Sequence, residues 1–206
     1  MISKDTVLYG HFAMDPTSAG TRFFNRAFRF CGIDAIYKPF KVSPIGAAFD
    51  AARTLHMGGF SVSSEWTESA LGYANEYSPD VNALMAADTF INIKGRFKAY
   101  NSMVHAVQVL MLDHEGPIAI LGADLYTPAI ERAAENLGQE AQRLSDLDSV
   151  SKNTMVFNCT PKAVSSDSLV IIKPDSDTYW GAEVAERRAE YQFELYTGRR
   201  LGRAQY

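Results

Sequence analysis

Residues 35–63 read AIYKPFKVSPIGAAFDAARTLHMGGFSVS, and this stretch decides the fold class. The alternation over 36–42 predicts a strand, Ser43-Pro44 is typical of a helix start, and Gly58-Gly59 ends the predicted helix. A second predicted strand over 60–63 follows directly. A strand, a helix and a strand in this order predict parallel strands joined by a crossover helix, so we expect an α/β protein.

The same rhythm continues on both sides of this stretch. Between two apolar runs, Lys94-Gly95 predicts the tight turn of a β-hairpin, and the polar turn over 113–116 is the best candidate for a domain junction. The other predicted elements are a strand over 7–9, a helix from Thr17 or Ser18 to Gly32, a helical stretch over 66–87 with a break at Ser78-Pro79, a helix after Asn101-Ser102, strands over 118–121, 154–158 and 168–172, a helix that Gly138 ends, and a last helix from about 181 to 196.

Composition narrows the class of protein. The 206 residues are 47% hydrophobic and 12% aromatic, which is enough for one large domain or two small ones. The formal net charge of -4 argues against a nucleic-acid-binding surface. No segment is long and apolar enough for a signal peptide or a membrane-spanning helix, so we expect a cytoplasmic protein that binds no membrane. Cys31 and Cys159 read as reduced structural thiols rather than a reactive pair, and we expect no metal site.

Several segments resemble the shikimate dehydrogenase family, and they occur in the family's order along nearly the whole chain. Residues 25–40 resemble the family's HNAAF and GLDAVYVPF, 59–67 resemble GLNVTIPHK, 86–102 resemble GAVNTVV and GRLVGYNTDG, 156–161 resemble VNATP, and 191–198 resemble LQFELWTG. The resemblance implies an N-terminal substrate domain with a mostly parallel sheet over 1–103 and a reduced Rossmann-like lobe over 104–206. It also implies that the last helix packs back on the first domain.

The catalytic pair that the resemblance implies is missing from this chain. In the family, hydride passes from NADPH to the 3-keto group of dehydroshikimate, and a lysine and an aspartate handle the proton and the developing charge. The lysine falls on Thr67 and the aspartate falls on Met103. Because a threonine hydroxyl does not ionise near neutral pH and methionine has no proton to offer, neither can replace the pair.

The nucleotide-binding loop that the resemblance implies has also changed. Where the family has GAGGAA, this chain has Gly122, Ala123 and Asp124 followed by Leu-Tyr-Thr, so only the first glycine is kept. The other glycines let a pyrophosphate approach the backbone at a helix N-terminus, and an aspartate there adds a like charge. We therefore expect no cofactor, with NADP(H) bound only if the catalytic groups have moved elsewhere in the chain.

The substrate-binding residues that the resemblance implies keep hydroxyl groups and gain charges. Ser18 and Thr21 correspond to the carboxylate-binding loop, and Asp88 replaces an asparagine. Arg188 falls on the family's substrate glutamine and lies on the apolar stripe of the last helix, so it must meet an anion. That anion is either a substrate carboxylate or an internal partner, Asp88 or Glu65. The full set of substrate-binding candidates is Ser18, Thr21, Ser63, Thr67, Asp88, Asn101, Arg188 and Gln192.

Three residues are candidates for a new acid–base role, namely Glu65, Asp88 and His105. Glu65 replaces a proline of the family just after a strand, and His105 lies one turn into the helix that follows Asn101, where a structural or surface role is the alternative. His11, at the end of the first strand where the family has asparagine, is a further candidate.

These observations predict a shikimate-dehydrogenase-like member of the oxidoreductase family that binds a small carboxylated or hydroxylated cyclic metabolite in an interdomain cleft. The expected reaction is not a redox step but an elimination, isomerisation or cyclisation. Two alternatives stay open: a pseudoenzyme that binds such a metabolite without turnover, and an NADP-dependent shikimate or quinate dehydrogenase with relocated catalytic groups. The expected partner is a small carboxylate or polyol rather than a nucleic acid, and the family's exposed sheet edge leaves a homodimer open.

Overall fold

The computed structural model describes residues 2–148, 150–174 and 177–202, and these form two compact units. The first unit contains residues 2–102 and 189–202, and the second contains the described residues between 103 and 188. The chain therefore leaves the first unit once and returns to it in its last helix. The polar turn over 113–116 lies within the second unit.

The first unit is built on a six-stranded mixed sheet. Its strands are β1 (Val7–Ala13), β2 (Ala35–Lys41), β3 (Gly59–Val62), β4 (Glu76–Tyr77), β5 (Thr89–Ile93) and β6 (Arg96–Tyr100), and its helices are α1 (Ala19–Phe30), α2 (Ile45–Thr54) and α3 (Pro79–Leu84). The strand order is β2-β1-β3-β5-β6-β4. β2 and β3 lie parallel to β1 on either side, whereas β5 is antiparallel to both β3 and β6. The α/β class is as predicted, and the parallel part of the sheet is the stretch that the sequence over 35–63 indicated.

Two turns of the first unit follow directly from glycine. Gly32 has φ 64° and ends α1 with the left-handed conformation that glycine adopts without cost. Lys94 and Gly95 have φ 53° and 83°, and the two positive values identify the mirror-image turn that suits a two-residue hairpin. Both predictions are confirmed.

The prediction of helix over 66–87 is wrong for most of its length. Two 3₁₀ turns, Ser64–Trp66 and Ser69–Tyr73, precede β4, and only α3 is α-helical. β4 pairs in parallel with β6, so its backbone groups bond to the sheet instead of to a preceding helical turn. The predicted start and end of α2 also shift, because Pro44 rather than Ser43 occupies the N-cap and the helix ends at Thr54.

Aromatic side chains pack on both faces of the six-stranded sheet. On one face, α2 places Phe49 edge-on against Phe60, Phe90 and Phe97, and none of these four side chains is exposed. A fully buried phenylalanine contributes about 2–3 kcal/mol through the hydrophobic effect. The opposite face is covered by α1 and by the C-terminal part of the last helix, through the buried residues Tyr9, Phe24, Phe28, Tyr37, Phe193 and Tyr196.

The second unit contains a four-stranded parallel sheet with flanking helices. Its elements are α4 (Ser102–Leu112), which begins at the last residue of the first unit, β7 (Ile118–Gly122), α5 (Thr127–Asn136), β8 (Gln142–Leu144), β9 (Met155–Cys159), β10 (Val170–Ile172) and α6 (Tyr179–Thr197), which ends in the first unit. The order β10-β9-β7-β8, with every pair parallel, is Rossmann-like. β8 escaped prediction because Gln-Arg-Leu is not an apolar run. Among the described helices, none is long and apolar enough to cross a membrane.

Candidate functional site

Three neighbouring strands bring a histidine, a serine and a tyrosine together in the first unit. His11 on β1 lies directly opposite Ser61 on β3, and its Nδ1 is 3.0 Å from the Ser61 hydroxyl oxygen. The Tyr37 hydroxyl, on β2, lies 3.2 Å from the same oxygen. The Asn25 side chain of α1 fixes β2 at this point, since it accepts from the backbone N–H of Tyr37 and donates to its carbonyl. Ser61 is only 4% exposed, so it links the other two side chains rather than facing solvent.

Tyr196 covers this group from α6. Burial, and next the proximity of Tyr37, raises the pKa of the Tyr196 hydroxyl well above its usual value of 10.0. Ser61 lies close enough to oppose that rise slightly, yet no described residue forms a hydrogen bond of regular geometry with the Tyr196 hydroxyl. The Tyr9 hydroxyl donates to the Tyr196 carbonyl at 2.7 Å, and burial raises the pKa of Tyr9 as well. The hydroxyl groups of Tyr9 and Tyr196 are therefore neutral at physiological pH.

Buried tyrosines with raised pKa values are expected to make the free energy of unfolding fall at alkaline pH. Burial raises the pKa of Tyr191 to about 12, and Tyr9 and Tyr196 shift in the same direction. Their contribution is complete below the unfolded-state value of about 10 and is lost as the pH rises toward 12 and beyond, because only the unfolded chain releases these protons readily. Thermal unfolding from pH 8 to 12 measures the fall, and Tyr196→Phe should reduce it. An unchanged profile in this variant would contradict the assignment.

Ser63 and Glu65 lie just beyond the carboxyl end of β3. The Glu65 carboxylate accepts the backbone N–H of Met14, which follows β1, at 3.0 Å. Burial raises the pKa of Glu65, but the Ser63 hydroxyl, the N–H groups of Met14 and of Glu65 itself, and the charge of His11 together lower it below its usual value. Glu65 is therefore an anion at neutral pH that interacts with His11. We name His11, Tyr37, Ser61, Ser63 and Glu65 the β1–β3 site.

Two buried hydroxyl groups at this end of the sheet form no hydrogen bond of regular geometry with any described residue. The Ser63 hydroxyl is near Glu65 without forming a hydrogen bond of regular geometry, and the Thr21 hydroxyl, in the first turn of α1, is also unpaired. Most buried hydroxyls in proteins are hydrogen-bonded, so each exception needs a physical reason. In parallel α/β sheets, ligands bind beyond the carboxyl ends of the strands, which is where Ser63 lies.

A second polar group of the first unit is a buried hydrogen-bond network around Asp88. Asp88 accepts from the Thr89 hydroxyl at 2.7 Å and from the N–H and hydroxyl of Ser102, both at 2.8 Å. The Gln192 amide donates to the Thr89 hydroxyl at 3.0 Å and the Ser102 hydroxyl at 3.3 Å. All four residues are buried. Because both carboxylate oxygens of Asp88 serve this network and hold the start of α4, the geometry favours a positioning role over the predicted catalytic one.

The other sequence-predicted residues divide between the units. In the first unit, the Thr67 hydroxyl donates to the Ser64 carbonyl at 3.1 Å and the Asn101 amide donates to the Ala86 carbonyl at 3.1 Å. Ser18 is the exposed N-cap residue of α1, without a capping hydrogen bond from its side chain. Ser64, Glu65, Thr67, Glu68 and Ser69 line a shallow depression of about 590 Å³.

Met103, His105 and Arg188 belong to the second unit, where Met103 is 5% exposed and the other two are half-buried. The arginine of α6 that is buried is Arg187, at 6% exposed, and it pairs with Glu183 at 3.1 Å. Sequence reasoning missed it, because a helical stripe of four residues fixes the buried face only to within one position. The partner of Arg188 stays a prediction.

The start of α5, where a Rossmann-like fold would hold a pyrophosphate, does not fit that group. Gly122 keeps the positive φ of 78° that the tight turn requires. The Asp124 carboxylate, however, accepts the Tyr126 N–H at 2.8 Å, and the Thr127 hydroxyl accepts the Asp124 N–H at 2.9 Å. Pro128, in the first turn of α5, has no N–H. An internal anion thus occupies a donor that a phosphate would need.

Arg143 and Cys159 are two further residues beside this loop. Arg143 of β8, which sequence reasoning missed, donates to Glu131 at 2.9 Å and to the Gly122 carbonyl at 3.2 Å. Burial raises the pKa of Cys159 to about 12, so its thiol stays protonated and unreactive. Within the part of the chain that the structure describes, no three His, Cys, Asp or Glu side chains form a group able to hold a metal ion.

Sequence comparison finds relatives among shikimate dehydrogenases. A shikimate dehydrogenase-like protein of Haemophilus influenzae is 28% identical over 148 residues, which are 70% of this chain and 55% of that protein. The NADP(+) shikimate dehydrogenase of Pyrococcus abyssi is 33% identical over 78 residues, 38% of this chain and 30% of that enzyme. The chain therefore spans about half, or less, of the length of these curated relatives. No protein-family model matches it.

Solved structures agree with the sequence comparison. A shikimate 5-dehydrogenase-like protein has a TM-score of 0.87 at 22% identity, with 100% of this chain and 96% of that chain covered. The shikimate 5-dehydrogenase of Thermus thermophilus, solved with NADP(H) and shikimate, has a TM-score of 0.81 at 13% identity, with 97% and 96% covered. The α/β first unit and the Rossmann-like second unit are the fold that these solved structures share with this chain. By sequence and fold, the chain is similar to the shikimate dehydrogenase-like proteins.

Proposed function

We propose that this protein binds a small hydroxylated carboxylic acid at the β1–β3 site and acts on it without hydride transfer. The observation that carries the proposal is the buried hydroxyl of Ser63, which forms no hydrogen bond of regular geometry with any described residue. Leaving a buried donor unpaired costs about 1–3 kcal/mol, and a ligand hydroxyl or carboxylate would remove that cost. Thr21, in the segment whose sequence resembles the family's carboxylate-binding loop, supports the proposal in the same way.

Two features support a reaction other than hydride transfer. Thr67 stands where the family has its lysine, and its hydroxyl is already bound to the Ser64 carbonyl. Asp124 blocks the start of α5 against a pyrophosphate. A dinucleotide would supply hydride if it bound, but the residues at its implied place do not fit it. The proposed reaction is therefore a proton-transfer reaction of the elimination, isomerisation or cyclisation type.

A metabolite-binding protein without turnover is the second candidate. Loss of the lysine and the aspartate, at Thr67 and Met103, favours it, because these positions would otherwise handle the proton. His11, in contact with Ser61 and beside the Glu65 anion, favours an enzyme instead. Both candidates share the same binding site, so one binding experiment tests their common part.

Ser63→Ala is expected to stabilise the free protein and to weaken ligand binding. Removing an unpaired buried hydroxyl should raise the free energy of unfolding by about 1 kcal/mol. With shikimate, quinate or 3-dehydroshikimate as the probe, the wild type should gain about 2.7 kcal/mol at one hundred times the dissociation constant, and the variant should lose most of that gain. Thermal shift with and without each probe measures both effects.

Ser61→Ala is the matched control, because it removes a buried hydroxyl that is paired. It should destabilise the free protein by about 1 kcal/mol, the opposite sign to Ser63→Ala. If Ser63→Ala destabilises the free protein, its hydroxyl has an internal partner and the carrying observation fails. If none of the three acids shifts the wild type, the proposed function is wrong.

A further inference from the structure

We infer that His11 is the acid–base group of the β1–β3 site, oriented by Ser61 and Tyr37 and close to the Glu65 carboxylate. The inference rests on the proposed function and specifies which side chain moves the proton. Residues with a general acid–base role must lie within reach of a bound ligand and must be held in one orientation. The second condition is met by its neighbours on β2 and β3, and the first rests on the position of His11 beside the proposed binding site.

The orientation of His11 is set within the sheet. Its Nδ1 lies 3.0 Å from the Ser61 hydroxyl, and the Tyr37 hydroxyl lies 3.2 Å from the same oxygen. The backbones of β1 and β3 are in register at His11 and Ser61, so this contact depends on the ladder rather than on a loop. A hydrogen bond to one ring nitrogen fixes the tautomer and the orientation of an imidazole. Histidine ligands and bases in proteins are commonly oriented in this way.

The side chains around His11 include one carboxylate, that of Glu65. Glu65 interacts with it electrostatically and is held in place by the Met14 N–H. Tyr37 and Tyr196, from β2 and α6, adjoin Ser61, and burial raises the pKa of Tyr196. An anion near an imidazole stabilises the imidazolium form, so Glu65 balances the charge that proton uptake creates.

The neighbouring side chains fit the role less well. Asp88 uses both carboxylate oxygens within its own network. Ser61 is 4% exposed, so its hydroxyl is too buried to attack a ligand. The Thr67 hydroxyl does not ionise near neutral pH. His11 is half-buried rather than fully enclosed.

The proposed step balances without an oxidant or a reductant. The imidazole takes a proton from a C–H group beside the carbonyl of a cyclic keto acid. The C–H bond breaks, an N–H bond forms, and the electron pair stays on the ligand as an enolate. Return of the proton to another carbon isomerises the ligand, whereas its transfer to a departing hydroxide releases water and leaves a carbon–carbon double bond.

Solvent exchange tests this step with 3-dehydroshikimate as the probe. In deuterium oxide, the wild type should catalyse deuterium incorporation beside the keto group above the rate in buffer, as measured by mass spectrometry. His11→Asn, which installs the residue of the resembling family, should lower that rate by about 100-fold or more while keeping the probe-induced thermal shift. The matched control is His56→Asn, since His56 is exposed and has φ 50°, a conformation that asparagine tolerates.

A second measurement tests the interaction between His11 and Glu65 without any ligand. Carbon-detected NMR titration should show a higher Glu65 pKa in His11→Asn than in the wild type, because the charge of His11 lowers it. An unchanged Glu65 pKa, or full exchange activity in His11→Asn, would overturn the inference. Binding by the wild type without exchange would overturn the acid–base role and leave the binding proposal standing, whereas no binding would overturn the proposed function and this inference together.

Discussion

Replacing Asp88 by alanine is expected to lower the free energy of unfolding by about 3 kcal/mol, because three buried donors lose their acceptor. These donors are the Thr89 hydroxyl and the N–H and hydroxyl groups of Ser102. An unsatisfied buried donor costs about 1–3 kcal/mol, and the Gln192 amide nitrogen donates to the two hydroxyls rather than accepting from them. The Ser102 N–H also begins α4, so the helix loses a stabilising anion at its N-terminus.

Asp88→Asn is the informative partner variant. It restores the residue of the resembling family and keeps one carbonyl oxygen, so the loss should be about 1 kcal/mol. Asp50→Ala is the control. Asp50 lies on the exposed side of α2 with a solvent-accessible partner in Arg53, so its replacement should change the free energy of unfolding by less than about 0.5 kcal/mol.

Urea unfolding should be followed in each unit separately, since two compact units need not unfold as one. Fluorescence of Trp66 in a Trp180→Phe background reports on the first unit, because the two tryptophans lie in different units. An Asp88→Ala loss no larger than that of Asp88→Asn would mean that the network does not depend on its carboxylate. In that case the predicted catalytic role of Asp88 would regain weight.

Local sequence signals predicted the elements whose hydrogen bonds are local or whose strands are apolar. The helix α1 with its Gly32 stop, the hairpin at Lys94-Gly95 and the strands of 35–63 all follow from periodicity and turn chemistry. The failure over 66–87 has a different cause. β4 has two residues, and its partner β6 is formed by residues 96–100, so a distant pairing overrides the local helical preference.

The candidate site was less predictable, because its contacts depend on register and on loop conformation. The resemblance named Ser63 and Asp88 together, yet one has an unpaired hydroxyl and the other closes a network, a distinction that sequence does not carry. The contact of His11 with Ser61 requires the parallel register of β1 and β3. The signal that could have found it is the rule that side chains near the carboxyl ends of adjacent parallel strands lie close together.

The second unit is expected to show no stabilisation by NADPH, whereas an open dinucleotide site at one hundred times its dissociation constant would add about 2.7 kcal/mol. The reason is internal, since the Asp124 carboxylate holds the Tyr126 N–H at 2.8 Å and repels a phosphate at the start of α5. Asp124→Gly frees that N–H, removes the charge and restores a glycine. The variant should lose about 1 kcal/mol of stability and gain a thermal-shift response to inorganic pyrophosphate that the wild type lacks.

Asp146→Gly is the matched control for this variant. Asp146 accepts the N–H of Asp148 at 3.1 Å, the same two-residue turn as at Asp124, but the described residues between it and β9 form no α-helix. It should therefore show no pyrophosphate response. A clear NADPH response in the wild type would mean that the loop is open and would favour a dehydrogenase with relocated catalytic groups. If Asp124→Gly shows no thermal-shift response to pyrophosphate, Pro128 and the side chains of Leu125 and Tyr126 close the loop without Asp124.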